Sequence, residues 1–141
     1  GLRDDISGAL SPRTAVVSEA GELFLRRGAD GHFHAAAQVN GVEISFLVDT
    51  GASGVVLNAA DARRAGFAPE ALSFTGRART ANGDVRLAPV RLDQVSLGPV
   101  EARRVRASVS EGELFSSLLG MSFLNRFARV TVEGDRMILT P

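Results

Sequence analysis

Apolar and polar residues trade places every one or two positions along most of this chain, and the runs they form are short. "ELFLR" is a brief apolar run that ends at "RGADG", where Gly28, Asp30 and Gly31 supply turn chemistry. "HFHAAAQV" and "VEISFLV" are strand-length segments flanking Asn40-Gly41, a pair that favours a two-residue hairpin turn because both residues tolerate positive φ. "VVL" reads as a further short strand. "FTGRARTANGDVRLAPVRLDQVSLG" predicts a hairpin with Asn82-Gly83 at its tip and a long alternating return strand. "VEARRVRASV" alternates again, with Val100, Val105, Ala107 and Val109 at the expected inward positions. "RVTV" and "RMILT" predict a closing hairpin around Glu133-Gly134-Asp135.

Helical signals are confined to two places. In "NAADARRAGF", Asn58 is the expected N-cap, Asp61 suits the first turn, Arg63 and Arg64 the last, and Gly66 the end. "MSFLNRF" puts Phe123, Leu124 and Phe127 on one helical face, a packing pattern. Residues 1–14, mixed in charge and without a period, read as a linker or flexible tail, and residues 15–141 as one domain. Short strands, a glycine at most turns and one or two short helices predict a small, mainly β fold.

Composition narrows the function classes. A chain of 141 residues, 45% apolar, suits one domain with its own core. Sixteen basic residues, all Arg, cancel sixteen acidic ones, so no net field favours nucleic acid or an anionic membrane. The Arg-rich "EARRVRASV" has no interleaved aromatics and reads as a solvated β face. Without Cys, a disulfide framework and a thiolate metal site are both excluded. His32 and His34 fall on one side of a strand, but no third ligand accompanies them. They are expected to be solvated, and neither metal nor cofactor is expected. No Gly-x-Ser-x-Gly nucleophile elbow occurs. Nor does any stretch approach the roughly 18 apolar residues of a membrane span, and "GLRDDISGALSPRTA" lacks the apolar centre of a signal peptide.

The chemistry-bearing stretch is "FLVDTGASG", Phe46 to Gly54. Asp, Thr and Gly are ordinary turn residues, and the tripeptide alone says little. Its setting says more: an apolar run delivers a carboxylate, and a second apolar run follows. Burial penalises an ionised carboxylate, so such positions are where acid–base behaviour is tuned. Gly51 and Gly54 permit a tight turn and close backbone approach.

"FLVDTGAS" resembles the catalytic loop of aspartic proteases of the retropepsin type. "LLGMSFL" is similar to their second signature, a strand threaded by the catalytic loop and followed by the C-terminal helix, and "TANGDV" falls where the family places its flap hairpin. Together with "GHF" and "NGVEISFLVDTGAS", these segments resemble the bacterial retropepsin-like proteases over residues 31 to 140. The resemblance implies a single-lobe, closed β-barrel with a flap hairpin. It implies an aspartic endopeptidase that cuts extended peptide segments, using two carboxylates that share one proton and hold one water between them. Only one Asp-Thr-Gly occurs in the chain, and Asp4, Asp5, Asp30, Asp61, Asp84, Asp93 and Asp135 have no such setting. The partner of Asp49 is therefore expected to be Asp49 of a second chain, in a two-fold homodimer.

Carried over residue by residue, Asp49 would act as base and acid, Thr50 would brace the two loops across the dimer axis, and Gly51 would give its N–H to the carboxylate. Ala52 stands where pepsin-like enzymes usually have Ser and offers no hydroxyl, so activity is expected in mildly acidic solution. Ser53 departs from the Asp of viral enzymes but is usual in cellular relatives. Leu118, Leu119 and Gly120 would form the threaded strand, with Gly120 at a close backbone approach. Ala81, Asn82 and Gly83 would be the flap tip binding extended peptide. The chain has no Tyr, so the pepsin-type flap tyrosine is absent. Val55, Leu57 and Leu114 are candidate pocket residues. Viral relatives interleave their termini in one sheet, and how a dimer of this chain would be stitched is left open. Gly1 is not an initiator Met, and the bacterial group often carries an N-terminal membrane anchor, so a periplasmic location with an anchor upstream is the expectation. A second reading stays open: a non-catalytic, dimeric peptide-binding module of the same fold.

Overall fold

In a computed structural model of the protein, residues 15–80 and 83–141 are described. The predicted tail, residues 1–14, and the predicted flap-tip residues Ala81 and Asn82 lie outside them. Strands β1 (Val16–Val17), β2 (Leu23–Arg26), β3 (Phe33–Val39), β4 (Val42–Val48), β5 (Val55–Leu57), β6 (Gly76–Thr80), β7 (Gly83–Leu97), β8 (Val100–Ser110), β9 (Ser117–Leu119), β10 (Arg129–Glu133) and β11 (Arg136–Thr140) dominate. The helices are short: α1 (Ala59–Arg64), a 3-10 turn at Pro69–Ala71, and α2 (Met121–Leu124).

Local chemistry accounts for most of the joints. Asn40 (φ 51°) and Gly41 (φ 85°) make the β3–β4 turn, and the register that follows places Ala35 opposite Phe46 and Ala37 opposite Ile44, small against large on the buried face. The Asn58 side chain accepts the Asp61 N–H and caps α1. The helix ends as a Schellman motif: Phe67 N–H donates to Ala62 O, Gly66 N–H to Arg63 O, and Gly66 takes φ 103°.

Among the described residues the strands form two sheets. In the larger, β3, β4, β9, β5, β8 and β7 pair in that order, and β7 returns to β3 through Gln38 opposite Ser96 and Val39 opposite Val95. The ring is thereby closed, as the barrel expectation requires, and β6 extends from β7 outside it. Inside lie Ile44, Phe46, Val55, Leu57, Leu92, Val109, Leu119, Phe123 and Leu124, all at most 1% exposed.

One strand departs from simple alternation. On β8, Val105, Ala107 and Val109 are buried as predicted, but Val100 is only half-buried and Ala102, two positions on, is buried instead. Arg104 adopts φ 54°, which breaks the alternation between Ala102 and Val105, and β7 shifts its buried positions opposite, from Leu92 to Val95. Asn40 fastens this bend. Its Oδ1 accepts the N–H groups of Asp93 (2.8 Å) and Gln94 (3.3 Å), and its Nδ2 donates to Ala65 O (3.0 Å).

The smaller sheet runs β1–β2–β11–β10 and joins both ends of the described chain. No helix of the described residues is long and apolar enough to cross a membrane.

Candidate active site

β4 carries Asp49 out of the core one residue beyond Val48, which is 6% exposed. What holds the following loop is β9. It lies between β4, to which it runs parallel (Leu47 opposite Leu118, Val48 opposite Leu119), and β5, to which it runs antiparallel (Val55 opposite Leu119). The two arms of the Asp49 loop therefore clasp Leu118 and Leu119 between them. Asp49 N–H donates to Leu119 O at 3.1 Å.

Within the loop, Ala52 N–H donates to Asp49 O (3.1 Å) and Gly51 N–H to Asp49 Oδ1 (2.9 Å), so the carboxylate is oriented by its own turn. From the far side, Met121 N–H donates to Ala52 O and Ser122 N–H to Ser53 O, each at 2.9 Å. The first turn of α2 thus satisfies loop carbonyls with N–H groups that would otherwise lack partners. Gly120 sits in the crossing, where a Cβ would lie 2.3 Å from Gly54 O and 2.6 Å from Ala52 O. Asp49 and Ala52 are half-buried, whereas Thr50, Gly51 and Ser53 are exposed. Leu118 is half-buried and Gly120 is buried. The loop accordingly shows solvent a hydrogen-bonded tip with one carboxylate behind it, and among the described residues Asp49 forms no ion pair.

Gly83, with φ 110°, begins the return strand of the β6–β7 hairpin. Val55 and Leu57, considered above as pocket residues, are 1% and 0% exposed and belong to the core, while Leu114 is half-buried.

A separate cavity of about 480 Å3 is lined by Gly28, Asp30, His34, Asn58, Asp61 and Phe115 among others, with no residue of the Asp49 loop. His34 is not the solvated residue expected. Its side chain is 13% exposed, its Nε2 is 2.7 Å from Asp30 Oδ2, and its buried Nδ1 has no hydrogen-bond partner among the described residues. The His32 N–H, ahead of this contact, and His34 hold the Asp30 carboxyl below its ordinary value. Among the described residues no group of three potential ligands could hold a metal ion. Phe115, fully exposed, carried no signal in the sequence beyond its place in a loop.

The family model described as "gag-polyprotein putative aspartyl protease" matches residues 35–126, which include the whole Asp49 loop and the Leu118–Gly120 crossing. A crystal structure of a retropepsin-like aspartic protease from Rickettsia conorii is 42% identical to the chain, with a TM-score of 0.77, over 84% of this chain and 89% of that one. This chain belongs to the bacterial retropepsin-like aspartic protease family. Lower-identity structures share the retropepsin-like fold: EIAV protease in complex with the inhibitor HBY-793 (17% identity, TM-score 0.61, 75% of this chain and 97% of that one) and the retroviral protease-like domain of Ddi1 from Leishmania major (18%, 0.53, 73% and 82%). Among curated sequences, an uncharacterized protein of Rickettsia prowazekii (strain Madrid E) is 41% identical over 134 residues, and one encoded in the cobV 5′ region of Sinorhizobium sp. is 38% identical over 138. Each match takes in 95% of this chain but only 58% and 59% of those relatives, so this retropepsin-like domain spans about three-fifths of their length.

Proposed function

We propose that the chain is the proteolytic domain of an aspartic endopeptidase that works as a homodimer, each subunit supplying one Asp49. The observation that carries this is the Asp49 loop: a backbone-braced turn with an exposed tip and a half-buried carboxylate, in a chain with a single Asp-Thr-Gly. Two such turns facing across a two-fold axis would hold a water between their carboxylates. One carboxylate takes a proton from that water as it attacks the peptide carbonyl, while the other, protonated, donates a hydrogen bond to the carbonyl oxygen; the proton then passes to the leaving amine. On this reading the β6–β7 hairpin would cover an extended peptide, and Thr50, exposed at the loop tip, would meet its counterpart. Ala52 offers no hydroxyl to the dyad, and activity in mildly acidic solution follows. Similarity to the Rickettsia conorii protease supports the reading. The resemblance to the bacterial group also supports a periplasmic setting, with an anchor in sequence outside this chain.

The alternative is a dimer that holds extended peptides without cutting them. Cleavage of an unstructured protein between about pH 4 and 7, by the chain and by Asp49→Asn, separates the two. Cutting that rises with the square of dilute protein concentration and disappears in the variant supports the protease. A dimer that binds peptide, with no turnover in either protein, favours the binding module.

A further inference from the structure

On the face of the β7–β8 ribbon turned away from the core, Arg91 stands directly opposite Arg106, and both are exposed. Residues so paired have Cβ atoms about 5 Å apart, where like charges repel. Two positions along β8, the break at Arg104 (φ 54°) leaves Arg103 and Arg104 both exposed between buried Ala102 and Val105. Glu101 answers Arg103, with its carboxylate 3.8 Å from that guanidinium, and it also accepts from Gln94 Nε2. Arg91, Arg104 and Arg106 have no ion pair and no side-chain hydrogen bond among the described residues. Asp93, which lies across from Arg104 in the register, is exposed and pairs with none of them. Two other arginine pairs face each other across strands, Arg77 with Arg86 and Arg26 with Arg136. In each of those, one member is held: Arg86 lies 3.8 Å from Glu111 and donates to Phe74 O (2.8 Å), and Arg136 lies 3.0 Å from Glu133. The Arg91–Arg106 pair alone is bare among the described residues.

We propose that Arg91 and Arg106 form a clamp for a phosphate monoester, with Arg104 beside them. A guanidinium grips one edge of an anion through two parallel N–H···O bonds. A carboxylate has one such edge and so serves one arginine. A phosphate monoester has three terminal oxygens, hence three edges, and two arginines from neighbouring strands can hold it at once. Its charge, about −1.5 to −2 at neutral pH, offsets the repulsion within the bare pair. Neither strand carries an aromatic residue, and no large apolar side chain of the ribbon is exposed, so neither base stacking nor insertion into a bilayer accompanies the grip. The inference uses no residue of the Asp49 loop and holds whether or not the chain cuts peptides.

The test is thermal unfolding in inorganic phosphate at about pH 8, where the anion is doubly charged. The control is sodium chloride of equal ionic strength, because salt alone also screens the pair. Phosphate at about ten times its dissociation constant should raise the midpoint by about 4 °C beyond that control. In Arg91→Gln and Arg106→Gln the gain should disappear. Without phosphate, both variants should melt no lower than the parent, because each removes a repelled charge. Arg129→Gln, at an exposed position of the smaller sheet, should keep the whole gain. Flotation with vesicles of phosphatidic acid, against phosphatidylcholine, tells a lipid-borne monoester from a soluble one. A gain in phosphate that needs Arg91 and Arg106 assigns a soluble ligand. Capture by phosphatidic acid that needs both, with no gain in phosphate, assigns a lipid headgroup, and either result upholds the clamp. A gain of equal size in the parent and both variants is the general effect of phosphate on folded proteins and overturns it. So does vesicle capture that ignores both substitutions, or a chain that responds to neither phosphate nor vesicles.

Discussion

The α-carbon of Gly120 faces the carbonyl oxygen of Gly54 so closely that a Cβ there would stand 2.3 Å away, with Ala52 O at 2.6 Å. Gly120 has an ordinary backbone, φ −97°, so space alone demands glycine. The atoms it meets are backbone and cannot rotate aside. Gly120→Ala is expected to cost about 3 kcal/mol and to prise the Asp49 loop off β9 and α2. Gly54→Ala, on the other side of the same contact, finds nothing within 4 Å and should cost less than about 1 kcal/mol. Urea unfolding of both variants checks this, and similar losses for the two would refute the steric account.

Ser117, 0% exposed at the start of β9, donates its hydroxyl to Asp61 Oδ2 (2.6 Å) and accepts Asn58 N–H (3.0 Å). It ties the cap of α1 to the threaded strand. Ser117→Ala leaves Asn58 N–H without its acceptor and removes a charge-assisted bond, so a loss of about 2 kcal/mol is expected. Asp61→Asn, which keeps an oxygen that can accept, should lose less. The comparison of the two by denaturant midpoint is the measurement, and an unchanged midpoint for Ser117→Ala would remove Ser117 from this role.

What was legible in the sequence was local. Asn40-Gly41, the Asn58 cap, Gly66 and the Glu133–Arg136 hairpin all declare themselves through neighbours a few residues apart, and the Asp49 loop through its apolar flanks. β9 is different. Three residues cannot show a period, and their place between β4 and β5 depends on partners far along the chain; only the resemblance marked them. The bend in β7 and β8 was hidden because alternation presumes a strand without a break, and nothing in "ARRV" announces φ 54° at Arg104. The setting of His34 is hidden for a similar reason: Asp30 reaches it from a turn, and the covering of the imidazole follows from packing rather than from spacing.

Asn40 does more than turn a hairpin. Its side chain spans from Ala65 O to the N–H groups of Asp93 and Gln94, and its own N–H donates to Gln94 O (3.0 Å). Asn40→Gly keeps the φ of 51° accessible but loses the side-chain bonds, which should cost about 1–2 kcal/mol. Asn40→Ala loses the bonds and also strains the left-handed backbone, adding about 1 kcal/mol. Thermal midpoints should fall in the order parent, Asn40→Gly, Asn40→Ala. Equal midpoints for parent and Asn40→Gly would mean the bridge to β7 contributes nothing.

Asp30 sets an acid limit on stability. Its carboxylate accepts the His32 N–H (3.0 Å) and lies 2.7 Å from His34 Nε2, contacts that lower it from 3.8. A carboxyl that releases its proton more readily in the folded than in the unfolded chain stabilises the fold above the unfolded value. The benefit is lost as pH falls through the lower, folded value. Asp30→Asn should therefore melt below the parent at every pH above 3.8, and the two should converge at more acid pH. Glu70, lowered by its own backbone N–H and by Arg63, titrates in the same direction in both proteins and cancels from the difference. Thermal midpoints across the acid range decide the matter. A gap that persists unchanged to the lowest pH would mean that Asp30 matters for its shape in the Gly28–Gly31 turn and not for its charge.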